Sequence, residues 1–140
     1  MRFWDSSALL PLVVEEPSTA AVRAVYENDR DQSVWCLTEV EIAAALARRG
    51  REQLKPAEVE SARSEVSFLS ARWRTVHSIE QARARAIRLV NTHPLRAADA
   101  LQLAAALVAC GEQPDSLPFV CLDDRLRDAA RREGFPVLPA

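Results

Sequence analysis

One segment leaves a folding chain few options. Between Pro94 and Gly111, the run from Leu95 to Cys110 carries only three polar residues, Arg96, Asp99 and Gln102. Proline can open a helix and glycine can close one, and a helix that is apolar nearly all round belongs inside a protein. The three polar residues are spaced three apart, so they fall along one line of that helix near its N-terminal end. A buried, unpaired carboxylate is costly. Asp99 therefore requires a cation, either the side chain of Arg96 or a bound metal ion.

The rest of the chain alternates short apolar runs with helical patterns. Phe3-Trp4, Ser33 to Leu37, Thr75 to His77, Phe119 to Leu122 and Pro136 to Leu138 read as strands. Ser6 to Glu15 fits a helix stopped by Pro17, and Ser18 caps a second that reaches Asn28. A third opens at Thr38 and closes at Gly50. Pro56 to Trp73 is amphipathic, with Val59, Ala62, Val66 and either Leu69 or Phe68 facing inward. Ser78 caps Ile79 to Val90, where Ile79, Ala82, Ala86 and Leu89 form a core-facing stripe, and Arg125 to Glu133 ends at Gly134. Strands separated by helices call for a parallel sheet covered on both faces. At 140 residues and 49% hydrophobic, the chain is expected to form one domain, residues 1–140. No run approaches a membrane span and the start lacks a secretory pattern, which predicts a cytosolic protein. Cys36, Cys110 and Cys121 lack paired CxxC spacing and read as buried free thiols, so a zinc site is not expected.

The net charge of −2 argues against a uniformly basic nucleic-acid binder. All 18 basic residues except Lys55 are arginines, clustered at Arg48/Arg49/Arg51, Arg83/Arg85/Arg88 and Arg125/Arg127/Arg131/Arg132. Such clusters serve either as solvated helix faces or as phosphate contacts.

Acids stand where the chain leaves its strands. Asp5 follows Phe3-Trp4 directly, either as a helix cap or as a site residue at the carboxyl edge of the sheet. Glu41 lies in the first turn after the second strand. Thr38-x-x-Glu41 has capping-box spacing, but the position also shares the sheet edge with Asp5. Asp123 ends the apolar run Phe119 to Leu122, with Asp124 beside it. Together with Asp99 these carboxylates could line one oxygen-rich cup. Like charges held close together do not all ionise cheaply, so a cup of this kind implies a hard divalent cation, Mg²⁺ or Mn²⁺. The chemistry that follows is phosphodiester hydrolysis. His77 and His93 read as loop or capping groups, and no histidine pair has metal-ligand spacing.

The residues that carry these features resemble the PIN-domain ribonucleases, and within them the VapC-type toxins of bacterial toxin-antitoxin pairs. The resemblance runs nearly end to end. It rests on Trp4-Asp5-Ser6-Ser7-Ala8-Leu9, Glu16-Pro17-Ser18, Glu41 to Arg49, His93-Pro94-Leu95-Arg96-Ala97-Ala98-Asp99-Ala100-Leu101-Gln102-Leu103-Ala104, Leu122 to Leu126 and Gly134 to Leu138. It implies a three-layer α/β/α sandwich with a mainly parallel sheet of about five strands. By the same resemblance Asp5, Glu41, Asp99 and Asp123 are the metal-binding acids, with Ser7 and Asp124 as supporting groups. It further implies Mg²⁺ (Mn²⁺ as substitute), an RNA substrate, a VapB-type antitoxin, a homodimer and a larger assembly with the antitoxin. Many PIN domains carry Asn or Thr shortly after the first aspartate where Ser6 and Ser7 stand here. Glu39 shadows Glu41 as Asp124 shadows Asp123. A receiver module would need a lysine near the last strands, and an aspartyl phosphatase an acid two residues after Asp5; neither is present. The remaining alternative is a catalytically silent PIN domain that binds RNA or protein.

Overall fold

A computed structural model describes residues 1–140. Five short strands, β1 (Arg2–Trp4), β2 (Gln32–Trp35), β3 (Arg74–Val76), β4 (Phe119–Val120) and β5 (Val137–Leu138), form one sheet in the order β3-β2-β1-β4-β5. Every neighbouring pair is parallel. Parallel neighbours cannot be joined by a tight hairpin, so each connection is a crossover. The crossovers are built from α1 (Ser6–Val13), α2 (Thr19–Asn28), α3 (Thr38–Glu52), α4 (Pro56–Ser70), α5 (Ile79–Thr92), α6 (Ala97–Ala109) and α7 (Asp124–Arg132).

The strands are too short to do more than seed two cores, and their period of two does that. Phe3 in β1 joins Trp35, Phe119 and the buried faces of α5, α6 and α7. Its neighbour Trp4 joins Val34, Val120 and apolar residues of α1 to α4 on the other face. The result is three layers, helices over sheet over helices. As its composition requires, α6 is enclosed: Ala100 and Gln102 to Leu107 are all buried.

Several boundaries differ from the sequence expectations, each for a local reason. The helix α3 runs through Gly50 to Glu52, because that glycine serves packing rather than termination. A Cβ at Gly50 would lie 3.1 Å from Val59 Cγ2, where α4 crosses. Helix α6 starts at Ala97, three residues after Pro94, since His93 and Arg96 are extended. Ile79 is 60% exposed at the first turn of α5 and Phe68 is 57% exposed, leaving Leu69 to face the core of α4. Gly134 does stop α7, with a positive φ of 101° that few other residues adopt. His93 is a buried linking group: its Nε2 lies 2.7 Å from Glu133, which also pairs with Arg88 at 2.6 Å.

The strand order matters most for the site. From β1 the chain moves outward to β2 and β3, then returns to the other side of β1 to lay down β4 and β5. This reversal places a topological switch point between β1 and β4, and ligands of open parallel sheets gather beyond the carboxyl ends of strands there.

Candidate active site

The switch point delivers its acids by simple means. Asp5 is the first residue after the central strand, and Asp123 is the third residue after β4. The first turns of α3 and α6 supply Glu41 and Asp99. All four line one cavity of about 390 Å³, with Ser6, Ser7 and Arg48 among the other wall residues. Asp124 and Glu39 are exposed and lie outside that wall. No three of the acids close into a ready-made coordination group on their own.

Asp5 is both a helix cap and a cavity residue, so the two readings of its sequence position coexist. Its Oδ2 accepts from the Ser7 amide (3.1 Å), the Ser7 hydroxyl (2.5 Å) and the Cys121 thiol (3.5 Å). These three bonds restrain the carboxylate through a single oxygen. Burial raises the pKa of this carboxyl, and the Ser7 and Cys121 bonds only partly offset it. The Ser7 hydroxyl also accepts from the Leu122 amide at 3.0 Å. One serine thereby ties the end of β1 to the segment leading to Asp123.

Glu41 is half-buried and does not complete a capping box. Leu37 occupies the cap position of α3, with Thr38 already helical. The Glu41 carboxylate instead accepts from Gln102 Nε2 at 2.7 Å on one oxygen and from Ser6 Oγ at 3.3 Å on the other. Its pKa is raised by burial first, with Asp5 and Asp99 adding repulsion against the lowering effect of Gln102 and Ser6. The two serines have divided the work: Ser7 orients Asp5, while Ser6 reaches Glu41.

Asp99 has neither a hydrogen bond nor an ion pair within the protein. Arg96 sits at the cap of α6 and only moderates the field at Asp99 from a distance. Burial, then the charges of Asp5 and Asp123, push its carboxyl up to about 6. Asp123 caps α7, accepting from the Leu126 amide at 2.9 Å, and is exposed at the rim.

The donor set is hard, made of carboxylates and hydroxyls, with the Cys121 thiol packed behind Asp5. Burial raises the pKa values of three of the acids, and neighbouring carboxylates raise those of Glu41 and Asp99 further, which is the signature of a cavity short of positive charge. Hard divalent ions suit such donors. Sequence reading did not find the roles of Gln102 and Cys121. Gln102 carried one signal, its place on the same helix line as Asp99; Cys121 carried none beyond its strand-like setting.

A PIN domain family model matches residues 2–132. Two relatives, Ribonuclease VapC45 of Mycobacterium tuberculosis strain CDC 1551 / Oshkosh and Ribonuclease VapC49 of Mycobacterium tuberculosis strain ATCC 25618 / H37Rv, are each 30% identical over 139 residues. Those matches span 99% of this chain and 94% of either relative.

Proposed function

Since the chain belongs to the PIN domain family, we propose that it is a metal-dependent endoribonuclease, the toxin of a VapBC-type pair, acting in the cytoplasm as a single domain of 140 residues. The observation that carries this reading is the gathering of Asp5, Glu41, Asp99 and Asp123 around one cavity at the switch point. In the proposal these four acids hold Mg²⁺, or Mn²⁺ in its place. A bound ion of this kind supplies Lewis-acid stabilisation of the phosphate and a more acidic water.

The residues of the chain do the positioning. Ser7 and Cys121 hold Asp5 through Oδ2, and Ser6 with Gln102 holds Glu41 on the cavity wall. Asp99, with no partner of its own, is the acid most in need of a cation. Arg48 stands on the wall of the cavity without an acidic partner and offers its guanidinium to an RNA phosphate.

The same electrostatics suit an antitoxin. A basic side chain inserted among the acids would form charge-assisted bonds with them and displace cation and substrate together. For the homodimer, support comes from an apolar pocket beside the acids. Trp35, Leu37, Val40, Ala44, Ala98 and Leu101 line it next to Glu41, and Leu37 and Val40 are 46% and 63% exposed. No helix is long and apolar enough to cross a membrane.

Purified protein incubated with RNA tests the reading. Cleavage should stop in excess EDTA and return with Mg²⁺ or Mn²⁺. Cleavage that persists in EDTA would refute the metal mechanism, while metal-independent RNA binding with no cleavage would favour a silent binding module.

A further inference from the structure

Gln102 is fully buried in α6, and its carbonyl oxygen has no hydrogen-bond partner. An orphaned buried acceptor is destabilising, and an apolar side chain of similar length would fill the space without that defect. The amide nitrogen shows why the residue is useful there. One N–H donates to Thr38 Oγ1 at 3.0 Å and the other to Glu41 Oε1 at 2.7 Å. Thr38 is itself fully buried, and it lies one turn before Glu41 on α3. A single amide from α6 therefore grips two residues of the first turn of α3. Reversing the amide would set its carbonyl against a carboxylate, so the arrangement admits only one orientation.

We infer that Gln102 is a positioning residue for Glu41: its amide, oriented by Thr38, holds the carboxylate against the wall of the acid cavity, and the unsatisfied carbonyl is the structural consequence. This inference rests on the metal-dependent reading above. It predicts that the site, not the fold, depends on the amide.

The test uses the full chain and a calorimetric titration with Mn²⁺ alone, alongside melting temperature and RNA cleavage. Gln102→Met keeps the length and removes both donors and the orphaned oxygen. It should weaken Mn²⁺ binding by about tenfold to a hundredfold, as loss of a group that orients a metal ligand does. Its melting temperature should hold or rise, and kcat should fall with KM for RNA nearly unchanged. Thr38→Val, which preserves shape, should weaken Mn²⁺ binding in the same direction by less, and Thr38→Ser should restore it. Mn²⁺ affinity equal to wild type in Gln102→Met overturns the inference and leaves the ribonuclease reading intact. So does a loss of affinity that merely follows a fall in melting temperature, with Thr38→Ser no better than Thr38→Val. A wild-type protein that neither binds Mn²⁺ nor cuts RNA overturns the ribonuclease reading, and this inference with it.

Discussion

Asp5 and Asp99 line the same cavity, but the protein treats them in opposite ways. Asp5 accepts three hydrogen bonds, all on Oδ2, from groups on α1 and from Cys121 just beyond β4. Asp99 accepts none and pairs with no cation. The first is therefore fixed by the same contacts that cap α1, whatever occupies the cavity. The second carries unrelieved repulsion, softened only by the N-terminal end of its helix and by Arg96. Restraint and strain are divided between two acids, so the two should respond differently to mutation.

The sharpest test of that difference is Asp99→Asn. It should reduce cleavage at least a hundredfold, equivalent to about 2.7 kcal/mol of barrier, while raising the stability of the metal-free protein. Folding lifts this carboxyl from 3.8 to about 6, so the folded state binds its proton more tightly than the unfolded chain. Its contribution to stability is thus favourable at acid pH and is lost as pH rises from about 4 to about 6. Because the group is only partly buried, solvent screening reduces the loss to roughly 1 kcal/mol. Metal-free Asp99→Asn should lack this pH dependence and melt higher than wild type at pH 7. Were Asp99 a structural partner of Arg96, melting at pH 7 would drop and cleavage would survive.

That contrast was only half legible in the sequence. Asp5 and Asp99 were visible as candidates, because a carboxylate directly after Phe3-Trp4 and another in an apolar helix both demand explanation. The parallel sheet and its covered faces were equally readable, since short apolar runs alternating with helices allow little else. The way each acid is held was not. Thr38 and Glu41 have capping-box spacing, and nothing local reveals that Gln102, 61 residues away, takes Glu41 over. Gly50 looked like a helix stop because its role depends on Val59 from the next helix. Spacing reports what one element can do alone; partners brought in by a crossover are fixed only by the assembled layers.

Ser7→Ala attacks the restrained side. It removes the hydroxyl that donates to Asp5 and accepts from the Leu122 amide, leaving that amide without its partner. Stability should fall by about 1–2 kcal/mol, and cleavage by about tenfold through misplacement of Asp5. Ser7→Thr keeps the hydroxyl and should recover most of both. Thermal melts and initial rates on the same samples decide the matter: a full loss of stability with normal cleavage would mean that the bridge serves the fold alone.

The smallest effect extends the comparison to two adjacent arginines. Arg49 is committed, pairing with Glu16 at 2.5 Å, whereas Arg48 lines the acid cavity with no acidic partner. A free guanidinium beside a phosphate site adds affinity by displacing one counterion, a contribution that is uniform across sequences and sensitive to salt. RNA binding is best measured in an Asp99→Asn background, where the substrate survives. Adding Arg48→Ala should weaken binding roughly threefold and lower the slope of log affinity against log salt by about 1. Adding Arg49→Ala should leave both nearly unchanged and lower the melting temperature instead. Equal losses of RNA affinity from the two substitutions would show that only the summed charge of this helix matters, and that the position of Arg48 on the cavity wall confers nothing.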